Sequence, residues 1–521
     1  MLNQGLGSWI HRRRPKSGTK AALIFDGTEI SYAQLSSRID RLAVALRQRG
    51  VEPGSRVAFL GENHPAFLET FFAAGTLGAI FVPLNTRLAP PEVRYALKDA
   101  GSTVLVHAES LTELAIAGAC ETAVGRRIVV ADGPRRPAPA GVGATESPEV
   151  IVEALDAMIE ATAEERLDVA VSLDDPAMIL YTSGTTGSPK GAVLTHGNIT
   201  WNCFNVLVDY DFVSTDVALM ISPLFHVASL DMGLLPTLLK GGTVVLEPRF
   251  DPARALTLIE KYRVTSLSGV PTTFQMLCEH PDWATTDISS LEKLTCGGSA
   301  VPMRVLEEYE RRGLAFSGGY GMTETSPGAT SLSPEKSREK AGSGGLPHFF
   351  TDLRIVDADG RQLPAGESGE IQLSGPNVIR EYWNKPEVIS ACYVDGVWFR
   401  SGDMGHVDED GYLFIADRLK DMIISGGENI YSAEVEQAVA ELEAVGSVAI
   451  IGVPDEKWGE VPIAIVTVRD GFTLDPDEVR SYLDGRIARY KIPKRVEIVS
   501  ELPRTASGKI RKADLRRLYP A

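Results

Sequence analysis

Met178-Ile179-Leu180-Tyr181-Thr182-Ser183-Gly184-Thr185-Thr186-Gly187-Ser188-Pro189-Lys190-Gly191 sets an apolar run directly against a loop of glycines, hydroxyls and one lysine. The first four residues read as a buried strand. Glycines let backbone N–H groups come close to an anion, and the hydroxyls of Thr182, Ser183, Thr185 and Thr186 add donors. Lys190 supplies a point charge. A flexible polar surface loop is the plain alternative, but donors this dense at the end of an apolar strand fit a phosphate cradle better. The spacing is not that of a Walker A loop, because Lys190 follows Gly187 by three positions and Gly191 stands where Ser or Thr would be needed. A conventional P-loop NTPase is therefore disfavoured.

Outward from this stretch, short apolar runs alternate with amphipathic ones. Residues 57–60, 104–106, 218–221 and 244–246 read as strands, and 92–99 (with Pro91 as a start signal) and 253–262 read as helices. That alternation predicts an α/β fold with helix-covered sheets. Residues 133–148, rich in proline and small residues, read as a surface connection. The pattern changes near Asp417-Arg418-Leu419-Lys420-Asp421. About 100 residues follow, a natural size for a small α+β domain. They hold apolar runs at 448–453, 463–468 and 496–499 and a helix-like stretch at 477–489. Two domains are expected, an N-terminal body over 1–417 and a C-terminal cap over 418–521.

A chain of 521 residues exceeds what one hydrophobic core organises. The formal charge of −17 argues against nucleic acid as a partner. It also means that an anionic substrate must be held by local donors. Five scattered cysteines with no CxxC pair suit free thiols in a reducing cytoplasm. The longest apolar stretch, 71–84, is too short to span a bilayer and is broken by glycine and proline. No transmembrane segment or signal peptide is expected, and a monomer and a homodimer both remain open.

The loop resembles the signature of the adenylate-forming superfamily, which includes acyl-CoA synthetases, firefly-luciferase-like enzymes and peptide-synthetase adenylation domains. The family's other motifs follow in order: Pro223-Leu224-Phe225-His226, Gly297-Gly298-Ser299-Ala300, Gly319-Tyr320-Gly321-Met322-Thr323-Glu324, Phe399-Arg400-Ser401-Gly402-Asp403, Asp417-Arg418-Leu419-Lys420-Asp421 and Pro503-Arg504-Thr505-Ala506-Ser507-Gly508-Lys509. The resemblance thus spans nearly the whole chain. It implies an ATP-dependent acid:CoA ligase with ATP, CoA and Mg²⁺ as cofactors, working through an acyl-adenylate.

Each motif also has a chemical reading of its own. Tyr320 between two glycines suits purine stacking, or is simply a core tyrosine. Glu324 suits Mg²⁺ carrying ATP phosphates, or marks a helix start. Asp403 could accept both ribose hydroxyls, or form a turn. His226, a candidate catalytic residue with Lys509 and Glu324, reads as a gate to the acyl tunnel or as orienting the adenylate, or as a structural histidine. Lys509 reads locally as a solvated lysine. By resemblance, Asp403 and Arg418 hold the ribose, Gly298, Ser299, Ala300 and Tyr320 surround the adenine, and Lys509 reaches the substrate carboxylate and α-phosphate, where a cation stabilises developing charge. The small domain is implied to be mobile, with its hinge at Lys420. In one arrangement it presents Lys509, and in the other Ser425-Gly426-Gly427-Glu428-Asn429, where glycines would let a pantetheine arm pass.

The acid pocket is expected from Phe225, His226, Ala228, Met232, Gly297, Gly321, Pro327 and Gly328. Gly321 stands where acetate-activating relatives carry tryptophan, and His226 where amino-acid-activating domains carry aspartate. A larger acid without an α-amino group is implied. Asn3-Gln4-Gly5-Leu6-Gly7-Ser8-Trp9 and Thr200-Trp201-Asn202-Cys203 resemble bacterial feruloyl-CoA synthetases, while the general layout equally resembles medium- and long-chain fatty acyl-CoA synthetases. Hydroxycinnamic and fatty acids stand level. A luciferase-like oxygenase and a non-catalytic nucleotide-binding regulator are the rivals.

Overall fold

The computed structural model describes residues 2–132, 150–182, 189–297, 301, 303–418, 422–469, 471–503, 510 and 512–520. The expected connection at 133–148 lies outside the described residues.

Two seven-stranded sheets form the body. One runs in spatial order Ile151–Ala154, Arg126–Val130, Val104–Ala108, Arg56–Leu60, Ile80–Leu84, Pro176–Thr182 and Lys190–Thr195. It is parallel except for its last pair, where Thr182 faces Lys190 and Tyr181 faces Gly191 in an antiparallel register. The glycine-rich stretch therefore joins two antiparallel strands, whereas a Walker A loop would open a helix. The second sheet places Phe316–Gly318, Lys293–Cys296, Ser266–Gly269, Val217–Met220, Thr243–Leu246 and Ala21–Phe25 in parallel, with Thr28–Ser31 closing one edge antiparallel.

One apolar core cluster takes residues from both sheets, among them Leu23 and Val244 from one and Val57 and Phe81 from the other. Helix Pro65–Leu77 is buried along its whole length within that cluster. Its sequence explains this: Glu69 is its one charged residue, and Arg38 pairs with it. A helix apolar all round belongs inside a large core. The apolar stretch at 71–84 is the end of this helix, a left-handed Gly78 at φ +67° and the buried strand Ile80–Leu84. No helix among the described residues is long and apolar enough to cross a membrane.

A third, antiparallel sheet holds Asp352–Val356, Gly369–Ser374, Trp398–Val407, Tyr393–Val394 and Leu413–Arg418. The next strand, Met422–Ser425, belongs to a separate sheet with Glu428–Tyr431, Val445–Asp455, Gly459–Val468 and Arg495–Val499, which has its own apolar cluster around Ile423, Val448 and Val466. The helix expected over 477–489 is shorter. It covers Pro476–Leu483 and ends before Gly485, whose φ of +76° no helix accommodates. The chain then turns so that Ile487 and Ala488 are buried against the small sheet.

Candidate active site

The parallel strands of the second sheet end at the residues flagged by sequence. Strand Val217–Met220 leads to Pro223-Leu224-Phe225-His226, and strand Phe316–Gly318 to Gly319-Tyr320-Gly321. Strand Pro176–Thr182 brings Thr182 to the same place. Between them opens a cavity of about 1150 Å³. Every residue expected in the acid pocket lines it: Phe225, His226, Ala228, Met232, Gly297, Gly321, Pro327 and Gly328. So do Thr182, Gly319, Tyr320, Met322 and Thr323, together with Gly426, Gly427 and Glu428 of the small domain.

Tyr320 is buried, packed on one side against Ala329, Ile371 and Leu413, and its hydroxyl donates to Asp403 Oδ2 at 2.8 Å. The two expected ribose contacts also share a register, because Asp403 faces Arg418 across the antiparallel strands Trp398–Val407 and Leu413–Arg418. Glu324 sits in the short turn Thr323–Thr325, and the hydroxyl of Tyr382 donates to its Oε1 at 2.7 Å. Lys190, which opens the strand after the glycine-rich stretch, has its Nζ 5.6 Å from the centre of the Tyr382 ring.

The flanking glycines are also required to be small by their own surroundings. A Cβ on Gly321 would stand 1.7 Å from Pro327 O, and one on Gly328 would meet His348 Nε2 at 2.8 Å and Asn202 Oδ1 at 2.9 Å. Their missing side chains allow backbone and polar side chains to close behind the wall of the cavity that both glycines line. Asn202 and Asn377 then fix that wall, accepting from Gly328 N at 3.0 Å and donating to Gly328 O at 2.6 Å respectively.

Glu428 enters from the small domain. His226 Nε2 and Asn85 Nδ2 lie 3.1 and 3.2 Å from its Oε2, and an Arg87 guanidinium nitrogen lies 3.1 Å from Oε1. Burial works to raise its carboxyl pKa, but the hydrogen bond and charge of His226, with Arg87 and Asn85, outweigh that and hold it below the ordinary value. Ser425 and Glu428 pair across a two-residue turn in which Gly426 and Gly427 have φ of +57° and +82°. Both central residues being left-handed marks the type I′ hairpin turn. A Cβ on Gly426 would also lie 2.6 Å from the Trp458 ring, so that glycine lets the indole lie against the turn.

A second bridge ties the domains together. Lys491 Nζ lies 2.7 Å from Glu92 Oε1 of the body and 2.7 Å from Glu434 Oε1 of the small domain, all three side chains being nearly buried. Tyr382, Asn85, Arg87, Trp458 and the Glu92–Lys491–Glu434 group are absent from the sequence-based expectations. Trp458 beside the turn residue Gly459 was the one visible hint; the others are pairings between distant parts of the chain. Ser183, Gly184, Thr185, Thr186, Gly187, Gly298, Ser299, Ala300, Lys420 and Lys509 lie outside the described residues.

The model of the AMP-binding enzyme family matches residues 10–383, and that of the AMP-binding enzyme C-terminal domain matches 434–509. The chain belongs to the AMP-binding enzyme family. A feruloyl-CoA synthase from Amycolatopsis sp is 50% identical over 100% of both chains, and an indoleacetate–CoA ligase from Aromatoleum aromaticum is 42% identical over 98% of both. Among solved structures, a double mutant of o-succinylbenzoate CoA synthetase from Bacillus subtilis, bound with its product analogue, has a TM-score of 0.84 at 32% identity, covering 98% of each chain. ATP-bound MatB from Rhodopseudomonas palustris has a TM-score of 0.73 at 31% identity, covering 99% of each. This AMP-binding enzyme is an acid–thiol ligase, an AMP-forming acyl-CoA synthetase, with ATP, CoA and a carboxylic acid as its substrates.

Proposed function

We propose that the ligase acts on an aryl acid of the hydroxycinnamic type, with ferulic acid preferred over fatty acids. The 50% identity to a feruloyl-CoA synthase across the full length of both chains carries this reading. The indoleacetate–CoA ligase at 42% adds a second flat aromatic acid. The cavity wall of Ala228, Met232, Gly297 and Gly328 is compatible with such a ring.

A carboxylate is a poor electrophile, and making the acyl-adenylate exchanges its leaving group for AMP. The glycine-rich stretch with Lys190 takes the phosphates, while Tyr320, Asp403 and Arg418 hold the nucleoside. Lys509 serves adenylate formation. A magnesium ion on ATP phosphates needs only one or two carboxylates from protein. The chemistry around Glu324 fits: one oxygen accepts from Tyr382, and the other has no partner among the described residues. Mg²⁺ there would spread the charge of the departing pyrophosphate.

The body is assigned to residues 1–417 and the cap to 418–521, hinged near Lys420. The present arrangement is assigned to CoA transfer. Its higher TM-score against the product-analogue complex than against the ATP complex, at matching identity and coverage, supports this. Glu428 meeting His226, with Gly426 and Gly427 on the cavity, also supports it.

The test is pyrophosphate release from ATP with ferulic, cinnamic, indoleacetic, decanoic and palmitic acids, with and without CoA. Ferulate should give the highest kcat/KM, by roughly 100-fold over palmitate, since pocket discrimination against mismatched acids accrues a few kcal/mol at a time. Palmitate or decanoate ahead of ferulate would overturn the aryl reading. Neither light nor oxygen uptake should accompany turnover.

A further inference from the structure

Tyr382 takes no part in the motifs that first marked the site, yet it touches two of them. Its ring is 5% exposed, inside the main core cluster. Its hydroxyl reaches Glu324 Oε1 at 2.7 Å, and Lys190 Nζ stands 5.6 Å from its ring centre. The backbone around it closes the same gap. Val193 N donates to Glu381 O at 3.1 Å, Trp383 N to Gly191 O at 2.7 Å, and Ile379 N to Glu324 O at 2.9 Å. Tyr382 itself forms an antiparallel bridge with Ala192. The segment 379–383 is thus stitched on one side to the strand that leaves the glycine-rich stretch, and on the other to the turn bearing Glu324. The Tyr393 hydroxyl, donating to Ile379 O at 2.6 Å, anchors it from behind.

We propose that Tyr382 is a positioning residue for adenylation: its hydroxyl holds the Glu324 carboxylate in one rotamer, with the free oxygen presented to the cation on the ATP phosphates. This rests on the assignment of Glu324 to that cation. A lone glutamate in a short surface turn has several rotamers, and only some direct an oxygen to the phosphate side. A phenol donor on Oε1 selects among them without adding a positive charge that would compete with the cation. Carboxylates that ligate metals are commonly held this way, and loss of the outer partner costs about 10–100-fold in metal affinity. The ring serves Lys190 separately, by offering its face to the ammonium group. One side chain thereby sets the spacing between the loop lysine and the metal ligand.

Tyr382→Phe keeps the ring, its packing and its face toward Lys190, and removes only the hydroxyl. Mn²⁺ binding should be followed by electron paramagnetic resonance in the presence of a non-hydrolysable ATP analogue. The variant should bind Mn²⁺ about tenfold more weakly, and the Mg²⁺ concentration giving half-maximal pyrophosphate exchange should rise by the same factor. CoA transfer to a supplied acyl-adenylate should stay as in the parent enzyme, and the thermal midpoint should fall by no more than a few degrees, as for the loss of one hydrogen bond. Glu324→Gln is the companion. If Glu324→Gln weakens Mn²⁺ binding and Tyr382→Phe does not, the positioning role is overturned while the cation assignment stands. If Glu324→Gln leaves Mn²⁺ binding unchanged, the cation assignment itself fails. A Tyr382→Phe enzyme that loses both half-reactions together with thermal stability would show a structural residue only, which also overturns the proposal.

Discussion

On the proposed assignment of the present arrangement to CoA transfer, Glu428 is the residue that divides the two half-reactions. Its carboxylate is buried yet held ionised by His226, Arg87 and Asn85, all from the body. Removing one partner of a buried charge-assisted contact is costly because the remaining groups are left uncompensated. Glu428→Gln keeps the shape and removes the charge, so the arrangement that places Glu428 on His226 should be depopulated. The expected result is CoA transfer slowed by about tenfold or more, from the roughly 1.5–3 kcal/mol of a hydrogen bond to a charged group, with pyrophosphate exchange unchanged. Lys509→Ala should do the reverse, abolishing exchange while transfer from a supplied acyl-adenylate continues. Single-turnover assays of each half-reaction decide this. Equal damage to both steps by either variant would sink the division of labour.

At the scale of elements, the hairpin of Met422–Ser425 and Glu428–Tyr431 separates two roles that sequence alone merges. Both turn glycines have positive φ, so an alanine at either costs about 1–2 kcal/mol of backbone strain. Beyond that they differ. A Cβ on Gly427 finds nothing nearer than Val270 at 3.7 Å, whereas one on Gly426 collides with Trp458 at 2.6 Å. Gly427→Ala should therefore lower the thermal midpoint slightly and leave both half-reactions working. Gly426→Ala should displace the indole from the cavity mouth and raise the KM for CoA as well. Matching effects from the two variants would mean that Trp458 is irrelevant to the acceptor. Turn geometry demands these glycines in addition to any room they give a passing ligand. The same holds for Gly321 and Gly328, whose Cβ directions point at backbone and polar side chains. The strands were legible because apolar runs of four or five residues ended at glycine or polar clusters, as at 57–60 and 178–181. The helix expected over 477–489 stops at Leu483 because Gly485, at φ +76°, breaks it, and the apolar Ile487 beyond is buried where the chain turns instead. Tyr382 meeting Glu324 left no local trace at all: the two lie 58 residues apart, and only the folded chain brings them together.

The whole molecule joins its two domains through a charge group with an odd balance: Lys491 faces both Glu92 and Glu434. One cation cannot neutralise two buried carboxylates. Burial, with Glu92 opposite, raises the Glu434 pKa from its ordinary 4.5 to about 7, although Lys491 pulls the other way. Burial would lower the Lys491 pKa, but Glu434, Tyr490 and Glu92 outweigh it and raise it, so this lysine stays charged throughout. The sign for Glu434 follows from linkage. On the proposed domain rotation, a carboxyl whose pKa is raised by Glu92 in the docked arrangement binds more protons there than when released from Glu92, so docking weakens as pH rises toward about 7 and levels off above. One proton limits the effect to about tenfold per pH unit. Glu92→Gln still offers an acceptor to Ala89 N, the bond that caps helix Pro90–Ala100, and removes the second charge. Glu434 should then titrate lower and the pH dependence of docking should flatten. Ionisation of the CoA thiol favours transfer at high pH equally in both proteins, so the ratio of their single-turnover transfer rates isolates the charge group. That ratio, parent over Glu92→Gln, should fall between about pH 5 and pH 7 and level off above. A ratio constant across this range, or one that climbs, would remove the charge group from the control of domain docking.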